Sequence, residues 1–231
     1  MRADFGIIGA MEPEVNSLIS MLNSHEEKTL GGITFHCGKL LGKSVVIARC
    51  GIGKVFAAIC AQTMILEFAP RLVINTGVGG ALDKSLRPLD IVFAEKLVQH
   101  DMDTSPIGDP VGLISGINRV YFETDKRALQ VLSTAAEELG IKHLVGTIAT
   151  GDKFIAEKAD KDRITDLFGA TACEMEGGAI AHTAFVNDTP FMVVRAISDS
   201  ADGEACMDYP TFLPQAVKIS TALTLALVEK Y

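Results

Sequence analysis

Short apolar runs alternate along this chain with longer stretches that carry apolar residues at helical spacing. The apolar runs show no polar alternation, which predicts strands covered on both faces of a sheet. They lie at residues 5–8, 45–48, 72–75, 90–94, 144–149 and 191–196, with a further short strand at 34–38. Helices are predicted at residues 12–22, 54–67, 124–139, 157–167, 177–186 and 213–229. This order of elements predicts an α/β fold.

One long segment, residues 100–121, lacks periodicity. It contains Pro106, Pro110 and several glycines, which favour an irregular excursion. Long loops of this kind often form lids, and we also expect this one to contribute to a subunit interface. Because 231 residues suit a single α/β domain, we expect residues 1–231 to form one domain.

Charge and cysteine content narrow the possible partners. A formal net charge of −8 would repel phosphate backbones and anionic lipids, so we expect no nucleic-acid or membrane partner. No uninterrupted apolar stretch of about 18 residues indicates a membrane span. The five cysteines have no C-x-x-C spacing, which argues against a disulfide framework or a zinc cluster and favours a reducing cytoplasm.

The histidines do not predict a metal site. The sequence His100-Asp101-Met102-Asp103 offers ligand types, but no second histidine pair at ligand spacing supports it. His25, His36, His143 and His182 are interpreted as surface or packing residues. We therefore expect neither a metal nor a cofactor.

Acidic residues follow two of the predicted elements. Glu174 and Glu176 precede a Gly-Gly pair and would share one face of an extended stretch. Asp199 follows the apolar run 191–196, and ligands in α/β sheets bind at the carboxyl ends of strands. Acids that converge without a matching cluster of cations indicate proton chemistry. Glu14, in the first turn of the predicted helix 12–22, has an alternative interpretation, because a glutamate there often only stabilises the helix dipole.

Six motifs, in order, resemble those of the 5′-methylthioadenosine/S-adenosylhomocysteine nucleosidases. They are Gly9-Ala10-Met11-Glu12-Pro13-Glu14-Val15, Gly51-Ile52-Gly53-Lys54-Val55, Asn75-Thr76-Gly77, Gly151-Asp152-Lys153-Phe154-Ile155, Glu174-Met175-Glu176 and Arg195-Ala196-Ile197-Ser198-Asp199. Each is weak alone, but the ordered set covers nearly the whole chain. The resemblance implies the nucleoside phosphorylase-like fold, a three-layer single domain with a central mixed β-sheet flanked by helices, and usually a homodimer.

The resemblance also implies a reaction. It is the irreversible hydrolysis of the N-glycosidic bond of 5′-methylthioadenosine, S-adenosylhomocysteine and also 5′-deoxyadenosine, with nucleoside and water as the small-molecule partners. Adenine leaves readily only when its N7 is protonated. Asp199 matches the general acid, Ser198 would orient it, and Glu14 matches the base that activates the attacking water.

The other site residues are carried over in the same way. Glu176 matches the residue that accepts hydrogen bonds from the ribose hydroxyls, and Met175 would pack on the sugar. Phe154 matches the aromatic ring that stacks on adenine, and Ile155 the residue whose backbone contacts the base. The remaining candidates for substrate contacts are Met11, Ile52, Val78, Gly79, Glu174, Arg195 and Tyr209, where Arg195 would pair with Glu174 or Glu176.

Three alternatives stay open. A purine nucleoside phosphorylase would share the layout, but Glu12 and Glu14 would repel its phosphate. A hydrolase of aminodeoxyfutalosine would be nearly identical at Asp199 and differ at the 5′ end of the pocket. A nucleoside-binding sensor without catalytic activity is the third.

Overall fold

The computed structural model describes residues 2–199, 201 and 209–231, with the backbone alone at Tyr209. Six α-helices occur in these residues: α1 (Glu12–Ser20), α2 (Lys54–Phe68), α3 (Lys126–Glu138), α4 (Lys158–Phe168), α5 (Gly177–Val186) and α6 (Tyr209–Lys230). All six predicted helices are therefore confirmed, although α6 begins earlier than residue 213. The excursion at 100–121 contains a single 3₁₀ turn, Ser105–Ile107.

Ten strands form one sheet in the described residues: β1 (Phe5–Gly9), β2 (Asn23–Leu30), β3 (Ile33–Leu40), β4 (Lys43–Arg49), β5 (Leu72–Ala81), β6 (Ile91–Gln99), β7 (Tyr121–Glu123), β8 (His143–Thr150), β9 (Ala170–Glu174) and β10 (Phe191–Ile197). The seven predicted strands are present. Three were not predicted, namely β2, β7 and β9. The residues of β2 are polar and largely exposed, while β7 and β9 are too short to show a pattern.

The sheet closes partly on itself. Its strand order is β10-β6-β8-β9-β5-β1-β4-β3-β2, and β10 also pairs with β5. Five strands, β10, β6, β8, β9 and β5, thus form a closed circuit. Strands β1, β4, β3 and β2 extend from β5 as an open arm, and β7 pairs with β6. The expected mixed sheet is confirmed, because β1 pairs in parallel with β4 and β5, whereas β10 is antiparallel to β6.

Helices cover both faces of this sheet. One core cluster buries Ala57 and Met64 of α2 with Ile180 of α5 against the sheet. The second cluster joins Leu18 of α1 with residues of α3 and α6 on the other face. This three-layer arrangement explains the continuous apolar character of the central strands, since both of their faces are buried.

Helix α6 has the length and apolar composition of a helix that could cross a membrane. Its Phe212, Leu223 and Leu227 are nevertheless fully buried in the second core cluster. Packing within the domain therefore accounts for its apolar character.

Candidate active site

The candidate residues meet at the carboxyl ends of β1, β5, β9 and β10. Glu14 lies in the first turn of α1, directly after β1. Glu174 ends β9, and Glu176 is the N-cap residue of α5. Asp199 lies two residues after β10. The prediction that Glu174 and Glu176 share one face of an extended stretch is wrong, because the strand ends between them and a helix begins.

Glu14 is 7% exposed, and backbone donors hold its carboxylate. Its Oε2 accepts hydrogen bonds from the N–H groups of Ala10 and Met11, each at 2.8 Å, and its Oε1 accepts from the N–H of Val78 at 3.3 Å. Burial raises the pKa of the carboxyl, while the Met11 N–H and the charge of Arg195 oppose that increase. The helix-end role and a catalytic role are therefore compatible, since one carboxylate both caps α1 and retains a raised pKa.

Glycine at position 77 allows this placement of Glu14. A Cβ atom at Gly77 would lie 2.8 Å from Glu14 Oε1 and 3.6 Å from Arg195 Nη1. Gly77 and Arg195 are directly paired across β5 and β10. A side chain at residue 77 would displace the carboxylate.

Glu174 and Arg195 form a fully buried ion pair, each with a side chain 1% exposed. Glu174 Oε2 accepts from Arg195 Nη2, from the Glu176 N–H at 3.0 Å and from the Gly177 N–H at 2.7 Å, and its Oε1 accepts from the Thr150 hydroxyl. The guanidinium also donates to the side chain of Asn75. With its acceptor positions used within the protein, Glu174 is placed to position the start of α5 rather than to bind a ligand.

Glu176 is buried too, but its side chain is 8% exposed against 1% for Glu174. Its Oε1 accepts from the Gly53 N–H at 2.8 Å, and its Oε2 lies 4.0 Å from Arg195 Nη2. Burial and the adjacent Glu174 carboxylate raise the pKa of Glu176 to about 7. Burial is the largest cause, and the carboxyl groups of Glu14, Glu174 and Glu176 have the guanidinium of Arg195 as a shared counter-charge.

Asp199 has a partner that the sequence did not predict. Its Oδ2 accepts from Lys161 Nζ at 2.7 Å, and its Oδ1 accepts from the Ser198 hydroxyl at 3.1 Å. Lys161 is only 5% exposed although it lies on the charged helix α4. Ser198 also donates its N–H, at 2.9 Å, to the carbonyl of Gly79, so β5 fixes the segment that carries the aspartate.

Two of the apolar candidates line a cavity of about 1050 Å³, whose lining does not include Glu14, Glu176 or Asp199. Met11 and Ile52 line it, and Ile52 is 56% exposed. Phe154 is 80% exposed, whereas Ile155 is buried. Met175 is partly buried in the turn between β9 and α5. The side chain of Tyr209 lies outside the described residues.

Two further polar clusters lie outside this network of carboxylates. Asp101, which was considered above as a metal ligand, accepts hydrogen bonds from Lys54 Nζ at 2.6 Å and from the Asp152 N–H at 2.9 Å. His25 and His36, interpreted above as surface or packing residues, have an exposed and a half-buried side chain, and their rings are joined by a hydrogen bond of 3.0 Å that the sequence did not predict. They lie on the β2–β3 hairpin.

The arrangement presents two kinds of carboxyl group to one region. Glu14 is buried with a raised pKa, which suits a general base near neutral pH. Asp199 is partly exposed and tied to a lysine and a hydroxyl.

Comparison with known proteins agrees with this geometry. A family model described as the phosphorylase superfamily matches residues 4–229. A Campylobacter jejuni aminodeoxyfutalosine nucleosidase is 35% identical over 97% of each chain, and a Staphylococcus aureus 5′-methylthioadenosine/S-adenosylhomocysteine nucleosidase is 39% identical over 97% of this chain and 99% of its own. The solved structure of the Neisseria meningitidis 5′-methylthioadenosine/S-adenosylhomocysteine nucleosidase, in complex with methylthio-immucillin-A, superposes with a TM-score of 0.93 at 34% identity, covering 98% of this chain and 99% of that one. The resemblance inferred from the six motifs is thus confirmed: the chain belongs to the phosphorylase superfamily and, within it, to the 5′-methylthioadenosine/S-adenosylhomocysteine nucleosidases, which are N-glycosyl hydrolases.

Proposed function

We propose that the protein hydrolyses 5′-methylthioadenosine and S-adenosylhomocysteine, and also 5′-deoxyadenosine, to adenine and the corresponding free sugar. The observation that carries this proposal is the state of Glu14. Its carboxylate is buried, has a raised pKa and is fixed by backbone N–H groups of two different strand ends. A base of this kind removes a proton from water without needing to reorient.

The other groups complete a mechanism by hydrolysis. Asp199 protonates N7 of adenine, with Ser198 orienting its carboxyl. Water activated by Glu14 attacks the anomeric carbon from the opposite side, as in inverting glycosidases. Glu176 accepts hydrogen bonds from the ribose hydroxyls, which strengthen as positive charge develops on the sugar.

The adenine and the 5′ group are assigned to apolar residues. Phe154, on the loop after β8, offers an exposed ring for stacking on the base, and the adjacent Ile155 offers its backbone. Met175 contacts the sugar. Met11 and Ile52, which line the large cavity, accommodate the 5′ substituent, and Val78 and Gly79 are our remaining candidates for substrate contacts.

Arg195 and Glu174 act as positioning residues in this scheme. Their ion pair is enclosed by protein and links β10, β9 and the first turn of α5. Because the Arg195 side chain is only 1% exposed and its Nη2 donates to Glu174 and Asn75, the guanidinium is not accessible to a phosphate nucleophile. This argues for water over phosphate as the second substrate.

Aminodeoxyfutalosine is the second candidate substrate. The Campylobacter jejuni relative with that name is 35% identical over nearly its whole length. The acid and base would serve both reactions equally, and the difference would lie at the 5′ end of the pocket.

A reducing compartment, the cytoplasm, is our proposed location, in keeping with the free thiols of Cys37, Cys50, Cys60 and Cys173.

The decisive experiment measures adenine release from each nucleoside, with and without added phosphate, and identifies the sugar by mass. We expect phosphate-independent release of the free sugar, and kcat/KM then ranks the three 5′ groups against aminodeoxyfutalosine. The variant Glu14→Gln should lose about 100- to 10,000-fold in kcat, the usual contribution of a general base. Formation of a sugar 1-phosphate would assign the protein to the phosphorylases, and ligand binding without turnover would assign it to the sensors.

A further inference from the structure

Two histidines and a glutamate share one face of the β2–β3 hairpin, away from the carboxylates described above. Glu27 and His36 are directly paired across the two strands. His25 lies two residues before Glu27, and side chains at that spacing point to the same side of a strand. Three metal-ligating side chains therefore converge on the outer part of the open arm of the sheet.

The hairpin geometry fixes this convergence. The turn is a pair of glycines, Gly31 and Gly32, both with positive φ, as two-residue hairpin loops require. The register shifts between Asn23 and Glu26, so that an extra residue is accommodated beside His25. Such a bulge redirects the side chains next to it, and here the His25 ring lies against the His36 ring.

The distances between the ligand atoms match those around a single transition-metal ion. His25 Nε2 lies 3.0 Å from His36 Nδ1, His36 Nδ1 lies 3.4 Å from Glu27 Oε1, and His25 Nε2 lies 3.8 Å from Glu27 Oε1. The point equidistant from the three atoms, in their plane, is about 2.0 Å from each, and zinc binds histidine nitrogen and carboxylate oxygen at about 2.0–2.2 Å. An ion at about 2.1 Å would lie roughly 0.6 Å out of that plane, as a tetrahedral ion lies above three of its ligands.

We propose that His25, Glu27 and His36 form a binding site for one divalent transition-metal ion, of which Zn²⁺ fits the donor set best. Two imidazole nitrogens and one carboxylate oxygen are ligands that zinc shares with cobalt and nickel but that calcium and magnesium do not favour. The site leaves a fourth position open toward water. Glu27 and His36 also line the cavity that touches Met11 and Ile52, so the ion would border the same cavity.

The ion would hold the edge strand β2 to its neighbour β3. Strand β2 is the outermost strand of the open arm, and its side chains are almost all exposed. Few buried apolar contacts therefore hold it to β3. A metal ion ligated by both strands would replace that missing core with coordinate bonds.

The test uses untagged protein, so that no added histidines compete. Binding of Zn²⁺ is measured by calorimetry, and Co²⁺ is added separately to look for the intense visible absorption of tetrahedral cobalt. We expect one equivalent of either ion to bind. His25→Gln and His36→Gln should each weaken binding more than about 100-fold, because losing even a residue that only orients a ligand costs about 10- to 100-fold.

Two matched variants serve as controls. His143→Gln removes a partly buried histidine elsewhere in the sheet, and Cys37→Ser removes the thiol next to His36. Both should bind metal like the wild type, and Zn²⁺ should raise the unfolding temperature of both but not of His25→Gln. Binding that survives in both histidine variants, or that is lost in Cys37→Ser, would overturn the proposal, as would the absence of binding at micromolar Zn²⁺.

Discussion

Replacing Gly77 by alanine tests whether the position of Glu14 governs turnover. The new Cβ atom would lie 2.8 Å from Glu14 Oε1 and 3.3 Å from its Cδ. Ordinary contacts of this type begin at 3.4 Å, so the carboxylate must move by about 0.6 Å. Both the Val78 hydrogen bond and the direction in which Glu14 faces its water would change.

The magnitude follows from that displacement. A misplacement of about 1 Å in a catalytic group can cost about 100-fold in rate, so a shift of roughly 0.6 Å should lower kcat by about 10- to 100-fold. Overpacking costs about 1–3 kcal/mol, and the loss of glycine's freedom in the unfolded chain returns about 0.4–1 kcal/mol. We therefore expect the free energy of unfolding to fall by only about 1–2 kcal/mol.

The assay is steady-state adenine release from 5′-methylthioadenosine together with denaturant unfolding of the same samples. Gly116→Ala is the matched control, because a Cβ at Gly116 meets no atom within 4 Å. The control should match the wild type in both measurements. If Gly77→Ala folds and its kcat stays within about twofold of the control, Glu14 is not the base, since a 0.6 Å shift of a true base is costly.

Three further predictions address other parts of the molecule. Asp199→Asn should lower kcat about 100- to 10,000-fold with little change in KM. The control Asp162→Asn, which changes an exposed aspartate on α4, should have no effect on kcat. Equal losses of kcat in the two variants would contradict the role of Asp199 as the acid. Because burial raises the pKa of Glu176 from 4.5 to about 7, the folded protein holds a proton that the unfolded chain loses between these pH values, so this group's contribution to stability falls as pH rises through that window. Glu176→Gln should therefore gain stability relative to wild type between pH 5 and pH 7.5, by up to about 3 kcal/mol, in denaturant titrations, and a pH-independent difference would contradict the argument. Finally, the exposed apolar side chains of Val55, Phe56 and Leu66 on α2, with Ile107 at 81% exposure, favour a homodimer; sedimentation should show a dimer and Leu66→Glu a weakened one, and an active wild-type monomer at micromolar concentration would refute it.

The sequence predicted most of the helices and strands because burial imposes a strong pattern on them. Helix α2 and the strands β5 and β10 bury mostly apolar residues, with Asn75, Thr76 and Arg195 as buried polar exceptions on the two strands. Strand β2 was missed because its residues face solvent, and its strand conformation comes from pairing with β3 rather than from its own composition. The closure of β10 onto β5 could not be predicted, since it depends on a pairing between residues far apart in the chain.

The candidate site likewise contains residues that the sequence predicted and residues that it did not. The resemblance assigned Glu14, Glu176 and Asp199 to one site, and the structure has Glu14 in the first turn after β1, Glu176 at the start of α5 and Asp199 shortly after β10. The role of Lys161 could not be inferred, because in a helix rich in lysine and aspartate it has the pattern of a surface residue. Only the folded chain shows that it is buried and paired with Asp199. The meeting of His25 and His36 likewise depends on the register of a hairpin that the sequence did not predict.

The closed circuit of strands has a consequence for the order of folding. Strand β10 completes that circuit by pairing with β5 and β6, and it also carries Arg195, the cation beside the buried carboxylates of Glu14 and Glu174. Before β10 is in place those acids have no such counter-charge, and burying them is costly. Contacts between distant segments also form slowly. A refolding chain should therefore become enzymatically active only when its circuit closes, so that adenine release during refolding reports the final step of assembly.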